Sequence, residues 1–147
     1  MPLKTDAVGK TYAPVVYAVG REKIKEYAHA VGETNPLYLD YEAARAAGHR
    51  DVVAPPMFAV VYSAPAMGPA ILDPEVAINF ALMVHGGQEF RWGPLVQGGD
   101  EITTTVTVKT IEEREGKGFY VFESVSDNQD GEQVCVATWT NIVRGVS

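Results

Sequence analysis

The segment from Val53 to Met67 reads Val-Ala-Pro-Pro-Met-Phe-Ala-Val-Val-Tyr-Ser-Ala-Pro-Ala-Met and contains no charged residue. Proline is favoured in the first turn of a helix, where its missing N–H sacrifices no hydrogen bond, so Pro55 and Pro56 predict that a helix begins here. Most residues after Pro56 in this segment are apolar, and a helix without a polar face needs other structure around it. The sequence therefore predicts a buried helix over Pro56–Met67, which is too short to span a bilayer.

Four β-rich runs come after this segment, and glycine-containing connections separate them. Because the connections are short, neighbouring strands are expected to run antiparallel. In the second run Ile102, Thr104, Val106 and Val108 alternate with polar residues, which gives one face to a core and one to solvent. The predicted fold is therefore α+β, an antiparallel sheet wrapped around one buried helix. The four predicted strands are Met83–Trp92, Glu101–Glu113, Gly118–Asp127 and Gln133–Arg144.

The central segment also allows a second interpretation. Val52–Ala54 and Phe58–Val61 could form a buried strand pair that Pro55 and Pro56 interrupt, because short apolar runs do not distinguish a buried strand from a buried helix by periodicity. Beyond the segment, the glycine and prolines within residues 68–74 predict a loop region.

The first third of the chain predicts one short strand and two helices. The strand is expected over Tyr12–Val19. Over Arg21–Val31 the apolar residues recur at helical spacing, and Gly32 ends this pattern as a glycine just past a helix commonly does. Asp40 can cap a short helix over Tyr41–Ala47. The apolar stripe of the first helix consists of Ile24, Tyr27, Ala28 and Val31.

Composition and charge limit the classes of function. The chain has 147 residues, of which 46% are hydrophobic, and this predicts one compact domain over residues 1–147. A net charge of −7 argues against nucleic acid or an anionic membrane surface as the main partner. The single cysteine, Cys135, lies in an apolar run and is predicted to be a packed side chain in a reducing compartment. The N-terminal residues show no apolar region typical of a signal peptide, and no later segment resembles a membrane span, so we expect a cytoplasmic protein.

A polar bend at Gly32–Asn35 interrupts the apolar pattern. Its carboxylate, hydroxyl and amide lie between an apolar helix and a Pro-Leu-Tyr run. Thr34 and Asn35 can hydrogen-bond the backbone of their own turn, which is a purely structural explanation of the bend. A role of these polar groups in binding or catalysis is the alternative.

None of the three histidines has the sequence context of a clear catalytic group. His29 lies off the apolar stripe of the first helix and is expected in solvent. His49 follows a predicted helix and is a candidate for the mouth of a pocket. His85 lies on a strand, where we expect a polar group of a neighbouring strand to hold its ring. The residue spacing predicts no metal site, and the absence of a Gly-rich phosphate loop predicts no nucleotide cofactor.

Residues Gly32–Tyr38, Gly-Glu-Thr-Asn-Pro-Leu-Tyr, resemble the Gly-Asp-x-Asn-Pro-Leu/Ile-His signature of the MaoC-like, hot-dog-fold (R)-specific hydratases and (3R)-hydroxyacyl dehydratases. Val53–Phe58 resembles the start of the central helix of that family, and His85–Asp100 resembles the strand after that helix. The three stretches occur in the family's order, and the resemblance extends roughly over Val8–Arg144. It implies a hot-dog fold and a dimer that forms by edge-to-edge pairing of sheets.

The resemblance also implies that the catalytic positions are Glu33, Asn35 and Tyr38. The family has Asp and His where this chain has Glu33 and Tyr38, and those enzymes divide the exchange of the α-proton and the handling of the β-hydroxyl between the pair. A phenol is a poor base near neutral pH. An added methylene displaces a carboxylate by on the order of 1 Å, which can cost ~100-fold in rate. The altered pair therefore predicts a degraded catalytic site.

This altered pattern resembles the actinobacterial-type dehydratase subunits that lack the Asp/His pair and work beside a partner that has it. It implies a subunit of a (3R)-hydroxyacyl-thioester dehydratase or hydratase system in fatty-acid metabolism, with little or no activity alone. The implied substrates are acyl-CoA or acyl-carrier-protein thioesters, and the implied partner is a second copy or a hot-dog subunit with an intact pair. Two other functions stay open, a self-sufficient hydratase that uses Glu33 and an acyl-thioester or lipid binding module without chemistry. The side chains that would line the acyl channel are Leu37, Tyr41, Met57, Phe58, Val61 and Tyr62.

Overall fold

The structure, a computed structural model, describes residues 2–146, and its longest helix packs against a five-stranded antiparallel sheet. The strands lie across the sheet in the order β1-β3-β4-β5-β2, so β1 and β2 form the two edges. Both edges leave one side of a strand without a neighbour in the sheet. In chain order the strands are β1 Val15–Ala18, β2 Met83–Trp92, β3 Glu101–Arg114, β4 Lys117–Asp127 and β5 Gln133–Arg144.

In the described part of the chain before β2 there are four α-helices, namely α1 Arg21–Ala30, α2 Pro36–Leu39, α3 Tyr41–Ala46 and α4 Ala59–Ile71. Asp40 caps α3 as predicted, because its side chain accepts hydrogen bonds from two backbone N–H groups of the first turn. Helix α2 was not predicted, since the Asn35-Pro36 pair indicated only a turn. Val31, placed on the apolar stripe of α1 from its spacing, is exposed instead because the helix ends one residue earlier.

The predicted central helix is present, but it begins and ends at other residues than predicted. A 3₁₀ turn over Pro56–Phe58 leads into α4, and α4 continues to Ile71 through the region predicted as a loop. Pro65 and Pro69 lie within it on the exposed side, where the carbonyls that lose a partner can face outward. The alternative of a buried strand pair is wrong, because Val53 makes only an isolated β-bridge, to Gln97.

One face of α4 packs on the sheet, and the inward residues of the strands complete the core. Ile102, Thr104, Val106 and Val108 of β3 are all buried, which confirms the predicted alternation. Cys135 is buried as expected. An aromatic cluster forms where α4 begins, with the Phe58 ring at its centre in edge-to-face contact with three tyrosines, Tyr17, Tyr27 and Tyr62.

The opposite face of α4 is also apolar, and the described residues 2–146 leave it uncovered. The prediction of a helix enclosed on all sides is therefore wrong for this face, which carries the 48% exposed Met57 and ends at the 72% exposed Leu72. The segment after the helix and the edge strand β2 add further exposed apolar side chains. We call this surface the α4–β2 face, and its other exposed apolar members are Phe80, Leu82, Trp92 and Leu95.

The chain before β1 is anchored to the loop that follows α4. The Lys10 ammonium and the Tyr12 hydroxyl both donate to Asp73 Oδ2, each at 2.6 Å. These two groups, Lys10 first, lower the pKa of the Asp73 carboxyl to about 2. None of the helices within residues 2–146 combines the length and the hydropathy that a membrane span requires.

Candidate functional site

The signature bend begins where α1 ends. Gly32 has a φ of +77°, a conformation that favours glycine, and it turns the chain so that Glu33 N–H donates to Ala28 O at 2.8 Å. Three residues on, the Asn35 side chain accepts a hydrogen bond from Leu37 N–H at 3.0 Å and caps α2. The polar residues of the bend thus have a structural role, whatever chemistry they add.

Backbone hydrogen bonds hold this bend against the start of the central helix. Val53 N–H donates to Leu37 O at 2.8 Å, and Ala54 N–H donates to Val96 O at 2.8 Å. The three stretches that resemble the hydratase family, which are far apart in sequence, therefore meet at one end of α4. This is the place where the resemblance puts the catalytic site.

Glu33 and Tyr38 are both at this end, but they are not paired. Glu33 is exposed and Tyr38 is half-buried, and within residues 2–146 no hydrogen bond joins their side chains. The Glu33 carboxylate lies near Tyr27, whose pKa is raised by burial of the hydroxyl and then by this negative charge. The Tyr27 ring centroid is 5.5 Å from that of Phe58, so Glu33 lies beside the aromatic cluster.

The three histidines come from elements other than the bend. His29 is exposed on α1 as expected, and His49 is half-buried in the loop after α3. His85 differs from its prediction, because it is exposed and its ring nitrogen Nε2 contacts Gly87 O at 2.9 Å within its own strand. Its strand bulges at this point, and a Cβ at Gly86 would meet the Ile142 side chain at 2.3 Å, so a larger residue there would displace Ile142.

The side chains predicted to line the acyl channel differ widely in solvent exposure. Phe58 and Tyr62 are buried in the core, while Leu37, Tyr41 and Val61 are half-buried and Met57 is exposed.

Tyr41 is engaged in a surface cluster. The Arg21 guanidinium lies 4.0 Å from its ring centroid and donates to the Asp51 carboxylate at 2.9 and 3.0 Å. That hydrogen bond is the main cause of the lowered pKa of Asp51. Tyr41 therefore packs beside an ion pair at the surface.

A small apolar pocket lies at the start of the central helix, against Tyr62. Its volume is about 130 Å³, below the roughly 300–1,000 Å³ of most ligand sites. Burial raises the pKa of both the Tyr62 hydroxyl and the Cys135 thiol. Trp92 closes one side and donates from Nε1 to Pro56 O at 2.9 Å.

Sequence reasoning missed the part of this pocket that comes from Trp92 and Leu95. For Trp92 the available signal was alternation, because the even-numbered residues of β2 after the bulge share a face with inward residues of β5; Leu95 lies beyond the strand and had no such signal. Within residues 2–146, no group of three or more His, Cys, Asp or Glu side chains is arranged to hold a metal ion.

A family model, described as the FAS1-like dehydratase domain region, matches residues 6–137. Two curated relatives are each named UPF0336 protein. That of Saccharopolyspora erythraea is 41% identical over 148 residues, covering 100% of this chain and 95% of its own. That of Streptomyces coelicolor is 41% identical over 144 residues, covering 97% and 95%.

Solved structures agree with this result. A chain of the C-terminally truncated HadBC (3R-hydroxyacyl-ACP dehydratase) complex from Mycobacterium tuberculosis is 29% identical, with a TM-score of 0.81 and coverage of 95% of this chain and 99% of that one. A MaoC-like dehydratase is 25% identical with a TM-score of 0.84, covering 94% of this chain and 42% of that one. The R-hydratase PhaJ1 from Pseudomonas aeruginosa, at 18% identity and a TM-score of 0.72 over 95% and 83%, shares the fold. The chain therefore belongs to the FAS1-like dehydratase domain family, and its fold is the hot-dog fold of the MaoC-like dehydratases and (R)-hydratases.

Proposed function

We propose that this protein is a subunit of a (3R)-hydroxyacyl-thioester dehydratase or hydratase of fatty-acid metabolism, with little or no catalysis of its own. Its substrates would be acyl-CoA or acyl-carrier-protein thioesters. Its contribution would be to complete a dimer of hot-dog subunits and to shape the channel for the acyl chain.

One observation carries the proposal. The bend has a glycine in the left-handed conformation, the Asn35 cap and the hydrogen bond from Val53 N–H to Leu37 O. By the sequence resemblance, however, Glu33 and Tyr38 occupy the positions of the family's Asp and His. An ordered bend that lacks the family's acid–base pair fits a subunit whose partner carries out the reaction. The likeness to a chain of the HadBC complex supports this, because that dehydratase is a complex of two subunits.

The α4–β2 face is a second observation in favour of a partner subunit. It combines exposed apolar side chains with an edge strand, β2, that has an unpaired side, and such a combination is typical of a protein–protein interface. A second hot-dog subunit could pair its own edge strand with β2 and cover the exposed side of α4. That partner would carry an intact Asp/His pair if the dimer is mixed.

The test is hydration of a trans-2-enoyl thioester by the purified chain, alone and mixed with a MaoC-like subunit that has both catalytic residues. We expect the chain alone to show little or no turnover and the mixture to show more than the partner alone. A mixed dimer should appear by native mass spectrometry. Failure to associate with any such subunit would contradict the proposed assembly.

Two variants separate this proposal from its alternatives. Robust turnover by the chain alone, abolished in Glu33→Gln, would make it a self-sufficient hydratase. The double variant Glu33→Asp, Tyr38→His tests the scaffold, because it moves the bend toward the family's acid–base geometry, and we expect it to gain activity. A folded double variant that binds acyl thioester yet stays inert would favour a binding module without chemistry.

A further inference from the structure

Strand β2 carries two oppositely charged residues on the face of the sheet that points away from α4, here called the outer face. Glu89 lies opposite Thr138 and Arg91 opposite Val136 in the ladder between β2 and β5. Both charged side chains are exposed. Neither forms an ion pair within residues 2–146. This edge strand therefore presents one acid and one base, two residues apart, that no described side chain neutralises.

Between the two charges, Phe90 points to the other face of the strand, toward α4. The Phe90 ring stacks on Trp92 at a centroid distance of 5.6 Å and meets Trp139 edge to face at 6.5 Å. Trp92 also donates from Nε1 to Pro56 O at 2.9 Å, which identifies this face as the α4 side. The C-terminal half of β2 thus has a charged outer face and an aromatic inner face.

A second copy of the same strand can pair with β2 antiparallel about a two-fold axis, and the residue at the axis then lies opposite itself. With Phe90 at the axis, Glu89 of each copy lies opposite Arg91 of the other. Cross-strand pairs of opposite charge stabilise a sheet, whereas like charges directly opposite each other destabilise it. An axis at Glu89 or Arg91 brings like charges together, and an axis at Gln88 places Glu89 opposite Gly87. Among these axes, Phe90 alone pairs both charges.

We propose that two copies of this chain pair through β2 about Phe90 when no catalytic subunit is present, and that two Glu89–Arg91 ion pairs set the register. The two Phe90 rings meet at the axis on the inner face, where opposed side chains have Cβ atoms about 5 Å apart. The aromatic contact supplies affinity, and the charges select the register. This inference rests on the proposed assembly of hot-dog subunits and adds a competitor to it, because self-pairing uses the edge that a catalytic subunit needs.

The test is reversal of each charge, with the dimer measured by sedimentation equilibrium. Arg91→Glu and Glu89→Arg each place like charges opposite each other at two symmetry-related positions. Each variant alone should therefore dimerise with a Kd about tenfold or more above that of the wild type. An equimolar mixture of the two variants should regain the dimer, because the acids of one variant then face the bases of the other. The double variant Glu89→Arg, Arg91→Glu is self-complementary again and should dimerise like the wild type.

Lys109→Glu is the matched control, since it reverses an exposed charge on β3, an interior strand of the sheet. It should leave the Kd of the dimer unchanged. The side chains of Glu89 and Arg91 are exposed, so we expect every variant to fold with an unchanged Tm, which circular dichroism checks.

Wild-type protein that stays monomeric, or single variants that dimerise as well as the wild type, would overturn the proposal. A mixture of the two single variants that stays monomeric would overturn the register about Phe90. These outcomes are distinct from failure of the proposed function. A monomeric chain that still raises the turnover of a MaoC-like subunit would refute self-pairing alone, and a dimeric chain that associates with no such subunit would refute the proposed function alone.

Discussion

At the scale of single residues, Asn35 has two roles to separate. The hydratase resemblance makes it a site residue, and the structure makes it the cap of α2, since its Oδ1 accepts from Leu37 N–H at 3.0 Å. Leu37 in turn accepts from Val53, so the cap supports the contact between the bend and the central helix.

Asn35→Ala should therefore lower stability by about 1 kcal/mol, a typical value for the loss of an N-cap side chain. For a chain of this size that corresponds to a fall in Tm of about 2–4 °C. Asn35→Asp is the matched control, because a carboxylate caps as well as an amide, and it should unfold near the wild-type temperature. Equal losses in both variants, measured by circular dichroism, would show that the cap contributes nothing measurable.

At the scale of elements, α4 decides the architecture. Its two faces are both apolar, yet only one is buried, and the two alanines on either side of Pro65 show the difference. Ala66 is 3% exposed and packs on the sheet, whereas Ala64 is exposed on the opposite face.

Ala66→Asp should destabilise the fold by about 3 kcal/mol or more, because an unpaired carboxylate in an apolar core must be desolvated or protonated. Ala64→Asp makes the same chemical change two residues earlier and should cost less than about 1 kcal/mol, chiefly through helix propensity. Urea unfolding of both variants measures the difference. Similar midpoints would contradict this orientation of α4.

At the scale of the whole molecule, the proposed assembly would account for the α4–β2 face and for the side of β2 that has no neighbour within residues 2–146. A hot-dog sheet that pairs with another through β2 would cover both. That the chain acts as a single domain within this assembly stays a prediction.

Val84→Glu on β2 should reduce the association of subunits, because it introduces a charge into an apolar part of the proposed interface. Val16→Glu on the opposite edge strand is the matched control, since Val16 is 61% exposed and Val84 is 45% exposed. Light scattering at matched concentrations should give a lower mass for Val84→Glu and an unchanged mass for Val16→Glu. The reverse result would place the interface at β1.

Local physics accounts for the features that the sequence determined by itself. The period of two in β3, the Asp40 cap and the glycine after α1 act over a few residues, and each was predicted and then found. The bounds of β2 and β5 were predicted without error. The resemblance of three short motifs gave the fold class, which the family model and the solved structures confirm.

Tertiary structure decided the rest, because it depends on contacts between residues distant in sequence. Packing on the sheet carries α4 through Gly68 and Pro69, which local propensity alone would end as a helix. Which face of an all-apolar helix is buried depends on where the sheet lies, and periodicity carries no information about it. The pairing of His85 with Asn141 across two strands results from the ladder register beside a bulge, and only the assembled sheet places these two polar side chains opposite each other.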